Sequence, residues 1–254
     1  GSDVASIKTH ARKDGDDYVI NGGKMWTTNG TQADWCCVLA NTSDGPVHRN
    51  KSLIMVPMKT PGVQVARKLR KMGMHASDTA QLFFDDVRVP QRYRIGEEGK
   101  GFTYLLDGLN PERILIASEA LGIGRAAMRR AVDYGRERVV FDRPIGQNQG
   151  LAFPLAEAHM RLHAAELAIR EAAWQFDHGI PCGEPANTAK FLAAEAGYAA
   201  ADQAVQTLGG MGYASEYHVE RYWREARLMR LAPVSQELVQ AYVATHVLGL
   251  PRSY

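Results

Sequence analysis

The hydrophobic period of this chain changes at about residue 101, and that change constrains the fold more than any other feature. Before it, short apolar runs alternate with turn residues. Tyr18-Val19-Ile20 leads through Asn21-Gly22-Gly23 into Lys24-Met25-Trp26-Thr27-Thr28, which meets Asn29-Gly30. Asn-Gly and Gly-Gly accept positive φ, so both read as hairpin turns. Further strands are expected over 35–40, 52–56, 63–66 and 80–84, punctuated by Pro57, Pro61-Gly62 and Pro90. After residue 101 the apolar positions recur at steps of 4 and 3. Ala117, Leu121, Gly124, Met128 and Ala131 form one stripe; Leu155, Ala158, Leu162, Ala165, Ile169, Ala172 and Phe176 form a second. Phe191, Ala194, Tyr198, Ala201, Val205 and Leu208 form a third. Stripes of this spacing are amphipathic helices sharing a buried seam. Breaks are expected at 144–150, 179–185 and 209–212, with two shorter helices over 218–230 and 235–248. The expectation is an α+β chain: an antiparallel β domain over 1–100, then a four-helix-type bundle over 101–254.

A chain of 254 residues, 45% hydrophobic and 23% charged, has room for one or two domains and a sizeable core. Thirty basic against 28 acidic side chains give a net charge of +2, which excludes binding of nucleic acid by bulk charge. Cys36, Cys37 and Cys182 make neither a disulfide framework nor a Cys-x-x-Cys motif. No 18-residue apolar run is present and no signal peptide leads the chain, so neither a membrane span nor export is expected. The compartment expected is the cytoplasm, or the mitochondrial matrix in a eukaryote. The helical part carries fourteen arginines and a single lysine, Lys190. Arginine suits fixed, bidentate contacts to phosphate and carboxylate.

Taken residue by residue, most motifs have an ordinary explanation. Trp26 and Thr28 are favoured strand residues. Gly209-Gly210-Met211-Gly212 reads as a glycine helix stop. Arg138 beside Glu137 reads as a solvated arginine. Asn110 reads as a helix cap with Pro111 in the first position and Glu112 complementing the dipole. The eight histidines show no metal-ligand spacing, and Arg67-Lys68-Leu69-Arg70-Lys71 reads as a solvated loop.

Four segments in order nonetheless resemble the acyl-CoA dehydrogenase family. They are Gly1-Ser2-Asp3-Val4 with Met25-Trp26-Thr27-Thr28-Asn29-Gly30; Asp85-Asp86-Val87-Arg88-Val89-Pro90 with Gly99-Lys100-Gly101-Phe102; Glu137-Arg138, Phe141 and Gln149; and Gln206-Thr207-Leu208-Gly209-Gly210-Met211-Gly212-Tyr213. The resemblance covers the family's middle β domain and C-terminal helical domain, roughly the last two thirds of such an enzyme. It covers neither the N-terminal helical domain nor the first middle-domain strand.

The resemblance implies FAD as cofactor and assigns roles to residues of this chain. Trp26, Thr27 and Thr28 would face the flavin ring. Arg138, Phe141, Gln149, Gln206, Gly209 and Gly210 would contact the cofactor, the Gln206–Gly210 stretch approaching the pyrophosphate held by a neighbouring subunit. Ser235 and Glu237 fall at further flavin positions. Ser2, Asn110 and Arg113 fall on the substrate side. Leu109-Asn110-Pro111-Glu112-Arg113 is similar to the segment that supplies the catalytic base in isovaleryl-CoA and long-chain members. In most other members the base lies near the C-terminus, and the Gln206 motif puts that position on Pro233. The implied base is therefore Glu112. Proline at 233 also removes a backbone N–H that, in the family, helps bind the thioester oxygen.

The chemistry implied is α,β-dehydrogenation of an acyl-CoA thioester, of a branched or long acyl chain, with the α-proton taken by Glu112 and the β-hydride by the flavin. Implied partners are acyl-CoA, an electron-accepting flavoprotein and further copies of the chain in a homodimer or homotetramer. The competing readings are an oxidase or monooxygenase of the same fold, and an impaired fragment or partner subunit.

Overall fold

The protein is described by a computed structural model covering residues 2–252. Gly1, the first residue of the Gly-Ser-Asp-Val segment, lies outside the described residues. The chain divides into two compact units, Gly1–Gly108 and Leu109–Tyr254.

The first unit is built on a seven-stranded sheet. Its strands are β1 (His10–Asp14), β2 (Asp17–Thr28), β3 (Trp35–Asn41), β4 (Lys51–Pro57), β5 (Val63–Lys68), β6 (Thr79–Pro90) and β7 (Arg94–Ile95), in the order β5-β6-β2-β1-β3-β4-β7. Every pairing is antiparallel except a short parallel contact of β1 with β3, so the expected antiparallel domain holds with one exception. Alternate residues supply the core: Tyr18, Ile20, Val38, Ile54, Val56, Leu82, Val87 and Val89 are almost fully buried. The four expected strands are all present, each somewhat longer than its apolar run; β1 lacked such a run and was missed.

The turn expected at Asn21-Gly22-Gly23 does not exist. β2 runs straight through it as one 12-residue strand. Its glycines serve close approach within the strand, and Gly22 in addition takes a positive φ of +133°. A Cβ on Gly22 would lie 2.7 Å from the Thr9 Cα, and one on Gly23 would lie 2.9 Å from the Phe83 ring. Asn21 bridges a bulge in β6: its amide donates to Asp86 Oδ1 (3.0 Å) while its Oδ1 accepts from the Asp86 N–H (2.9 Å). The hairpin turn lies earlier, at Gly15-Asp16, where Asp14 pairs with Asp17 and Gly15 has φ +61°.

The second unit is helical. α1 (Gly101–Glu137) begins in the first unit and continues into the second. A two-residue hairpin, β8 (Val139–Val140) and β9 (Arg143–Pro144), separates it from α2 (Gln149–Asp177). There follow α3 (Gly183–Leu208), α4 (Gly210–Tyr213), α5 (Val219–Met229) and α6 (Gln236–Tyr242), the last continuing into a π turn over Val243–Val247. The predicted stripes are buried along most of their length: Ala117, Ala131, Leu162, Ala165, Ala194 and Ala201 have almost no exposed surface, whereas Phe176, at the end of its stripe, is exposed, and Phe191, Tyr198 and Val205 are half-buried. α1 and α3 cross where both are glycine. A Cβ on Gly197 would lie 2.4 Å from the Ala120 carbonyl oxygen, and one on Gly124 would lie 2.9 Å from the Gly197 Cα. Asn110 and Pro111 do not open a helix as expected: α1 is continuous from Gly101, with Pro111 inside it. Proline inside a helix forfeits one N–H···O bond and crowds the carbonyl four residues earlier, so its place here carries a cost in helix stability. No helix among the described residues is long and apolar enough to cross a membrane.

Candidate functional site

Two positive-φ aromatics single themselves out on geometry alone. Trp26 sits in β2 with φ +63°, in the left-handed region, which is costly for a bulky side chain. Lys24 pairs with Leu82 and Thr27 with Ala80, so Met25 and Trp26 together oppose only Gln81. This is a β-bulge, and bulges re-aim side chains. Trp26 is left 66% exposed, an unusual state for an indole. Thr27 is half-buried and Thr28 exposed, paired with Thr79 at the strand's end. Ser2 is also exposed in this unit.

The second aromatic is Phe141. It and Asp142 form the loop of the β8–β9 hairpin with φ +54° and +59°. Two positive φ values fit a type I′ turn, for which Asn-Gly is the usual choice and phenylalanine is strained. Phe141 is 92% exposed. Arg138 closes the base of this hairpin through its backbone, donating to the Tyr134 carbonyl and accepting from the Ile145 N–H, both at 2.9 Å. Its side chain is exposed, as is that of Gln149 at the first position of α2. The structure thus gathers Arg138, Phe141 and Gln149 around one α1–α2 connection.

Gln206, Gly209 and Gly210 gather at the α3–α4 turn. Gly209 (φ 58°, ψ −130°) occupies a region that essentially only glycine adopts. Nothing lies within 4 Å of where a Cβ on Gly209 or Gly210 would point, so the backbone there is bare. Gln206 is exposed on the last turn of α3.

The third group is Asn110, Glu112 and Arg113 on α1. Glu112 is exposed. Asn110 Oδ1 accepts from Arg113 Nη1 at 2.9 Å, which turns the guanidinium back along the helix. Arg113 Nε is buried without a hydrogen-bond partner. Burial pushes the Arg113 guanidinium down from its usual value, against the opposing effects of Tyr242, Glu112 and Cys182 nearby. These neighbours place the Glu112-Arg113 segment beside the start of α3 and beside α6.

α6 carries the remaining candidates. Ser235 is its N-cap, the hydroxyl accepting from the Leu238 N–H at 3.4 Å. Hydrogen bonds from its own backbone N–H and from Ser235 hold the Glu237 carboxyl below the usual range. Pro233 is half-buried in the loop between α5 and α6.

Sequence reasoning missed the network that fixes this loop. Lys190 on α3 has no exposed surface and donates to Gln236 Oε1 at 2.9 Å. The Gln236 amide donates to Glu195 Oε1 at 3.0 Å, and Arg230 Nε donates to that same oxygen at 2.7 Å. The Gln236 N–H also bonds the Arg230 carbonyl at 3.2 Å. Both ends of the 230–236 loop therefore converge on one carboxylate of α3. Burial pushes the Lys190 ammonium down to about 8. The signal available in sequence was that Lys190 is the only lysine in an arginine-rich half.

These residues fit FAD by type and exposure. An outward indole beside threonines suits a flat ring. A bare glycine turn admits pyrophosphate close to backbone. Exposed arginine and phenylalanine suit the phosphate and ring systems of a dinucleotide.

Comparisons with known proteins agree along the whole chain. The family model for the acyl-CoA dehydrogenase middle domain matches residues 1–87, and that for the C-terminal domain matches residues 99–247. Acyl-CoA dehydrogenase FadE12 of Mycobacterium tuberculosis is 42% identical over 257 residues, a match that covers 100% of this chain and 66% of that protein. The solved butyryl-CoA dehydrogenase of Megasphaera elsdenii superposes with a TM-score of 0.95 at 35% identity, covering 98% of this chain and 65% of that one. A solved prolyl acyl carrier protein oxidase, AnaB, gives a TM-score of 0.94 at 30% identity, with 98% of this chain and 66% of that one covered. The chain thus spans just under two thirds of the length of such relatives.

Proposed function

The chain belongs to the acyl-CoA dehydrogenase family, and from that premise we propose that it takes part in flavin-dependent α,β-dehydrogenation of an acyl-CoA thioester. The observation that carries the reading is the match of both family domains, in order, over 1–87 and 99–247. FAD, when bound, supplies the ring that accepts the β-hydride.

The chain's own residues supply the rest. Trp26, Thr27 and Thr28 hold the ring; the bulge in β2 aims the indole outward to do so. Gly209 and Gly210 admit the pyrophosphate of a second copy, with Gln206 beside them, and Arg138, Phe141 and Gln149 complete that contact. Ser235 and Glu237 stand at the start of α6, in a loop fixed by Glu195 and Lys190.

Glu112 takes the α-proton on its carboxylate. In the described chain this carboxylate is exposed, so bound substrate must exclude the water around it. Arg113, tethered by Asn110, keeps a positive charge beside Glu112 as the base gains its proton. Ser2 stands on the substrate side. At Pro233 no backbone N–H is available to the thioester oxygen. A base on α1 favours branched or long acyl chains, and the partner expected to take up the electrons is a second flavoprotein.

The test is anaerobic mixing of the flavin-loaded protein with acyl-CoA thioesters of graded length and branching. Bleaching of the flavin absorbance supports the reading. Glu112→Gln should retain flavin yet slow that bleaching by a factor of ~10²–10⁴, the usual worth of a general base. Unchanged bleaching in this variant would remove Glu112 from the role.

The likeness to AnaB favours one second reading, an acyl oxidase. Oxygen added after flavin reduction separates the two. Rapid reoxidation with release of hydrogen peroxide supports the oxidase, and slow reoxidation supports the dehydrogenase.

A further inference from the structure

The strained segment of β2 ends in a turn that is tied down by a side chain with no role in the reading above. Asp78 immediately precedes β6 and is 4% exposed. Its carboxylate accepts from the Thr31 N–H (2.8 Å), the Thr31 hydroxyl (2.7 Å) and the Gln32 amide (2.7 Å). Its carbonyl accepts from the Asn29 N–H at 3.1 Å. All four donors belong to the turn that begins directly after Thr28. The turn is closed within itself by the Ala33 N–H bonding the Asn29 carbonyl at 2.8 Å. It is also closely seated, since a Cβ on Gly30 would lie 2.8 Å from that of Ala80. The hydrogen bonds from the Thr31 hydroxyl and N–H, with Gln32 adding to them, hold the Asp78 carboxyl below its ordinary range, so it accepts as an anion.

A bulge that places tryptophan at φ +63° relaxes unless both of its flanks are fixed. The Lys24 side is fixed inside the sheet by pairing with Leu82. The other flank is Thr27 and Thr28, paired with Ala80 and Thr79 at the very end of the ladder; just beyond that last pair, the Asp78 clasp supplies the hydrogen bonds that join the turn to the start of β6. We infer that Asp78 is a positioning residue: by tying the turn at 29–32 to the start of β6, it holds the bulge that presents Trp26 and Thr28 to the flavin. This rests on the reading of that segment as flavin-facing.

The test compares the full chain with Asp78→Asn, and uses Asp14→Asn as a control. Asp14 loses an ion pair with Arg88 in the same unit, away from the bulge. Two readouts are taken. FAD titration gives affinity with the flavin as probe. Trp26 emission is isolated by subtracting Trp26→Phe in each background, and needs no flavin. Asp78→Asn should weaken FAD by ~10-fold or more, the loss that one or more hydrogen bonds to a charged acceptor converts to. It should also shift Trp26 emission in the flavin-free protein, while Asp14→Asn does neither. If Asp78→Asn does not fold, Gln32→Ala removes one donor and should move both readouts in the same direction. Unchanged Trp26 emission, or a loss of FAD affinity no larger than that of Asp14→Asn, would overturn the proposal. Should the parent chain bind no FAD, the flavin reading fails, and the emission comparison still decides the role of Asp78.

Discussion

Lys190 is the residue whose titration the fold most alters. Folding lowers its pKa from 10.5 to about 8 because burial penalises the ammonium. Between those values the unfolded chain holds more protons than the folded one, so stability rises with pH across that window. The penalty is fully present below pH 8 and is worth about 3 kcal/mol. Lys190→Met should abolish this contribution: the Tm of wild type, measured against that of the variant, should climb from pH 8 to pH 10. A constant difference would mean that the ammonium is not desolvated. Little of this environment was legible. Lysine among arginines marked the position, but its partner Gln236 lies on α6 and meets Glu195 of α3 together with Arg230, and periodicity carries no information about such meetings between elements. Trp26 was legible as a motif and not as a strained residue, because the bulge depends on the register of β6.

At the scale of elements, glycine was the residue most often misread. Asn21-Gly22-Gly23 has the composition of a turn, yet lies in a central strand because Thr9 and Phe83 need the space. Local chemistry marks a glycine as permissive and cannot say whether the chain uses its φ or its missing side chain. The helical stripes were read well because a buried face recurs along a helix, independent of partners. The meeting of α1 and α3 through Gly124 and Gly197 was not, since it depends on which helices cross. This crossing gives a paired prediction. Gly197→Ala drives a methyl into the Ala120 carbonyl and should destabilise by about 3 kcal/mol in urea unfolding. Gly122→Ala, on the same helix as Gly124 but with nothing within 4 Å of its Cβ position, should stabilise by ~0.5–1 kcal/mol. Equal effects at the two sites would mean that the crossing is looser than described.

For the molecule as a whole, each of the two compact units carries buried apolar residues of its own, on the sheet in one and on α2 and α3 in the other. The proposed flavin site draws on two copies of the chain, and that has a measurable consequence. If Gln206, Gly209 and Gly210 of one copy meet the cofactor of another, FAD and self-association are linked. Adding FAD should raise the weight-average mass in sedimentation. Phe141→Ser, which removes a 92% exposed aromatic from the same contact, should weaken that response without lowering the Tm. A flavin-loaded monomer would break the linkage.

The bare turn at Gly210 separates two demands that usually coincide. No neighbour in the fold forbids a side chain there. A scan of all substitutions, scored once for cellular abundance and once for turnover, should find this position permissive in the first assay and intolerant in the second. The gap between the two scores would gauge the ligand's claim on that backbone, unmixed with the claim of folding.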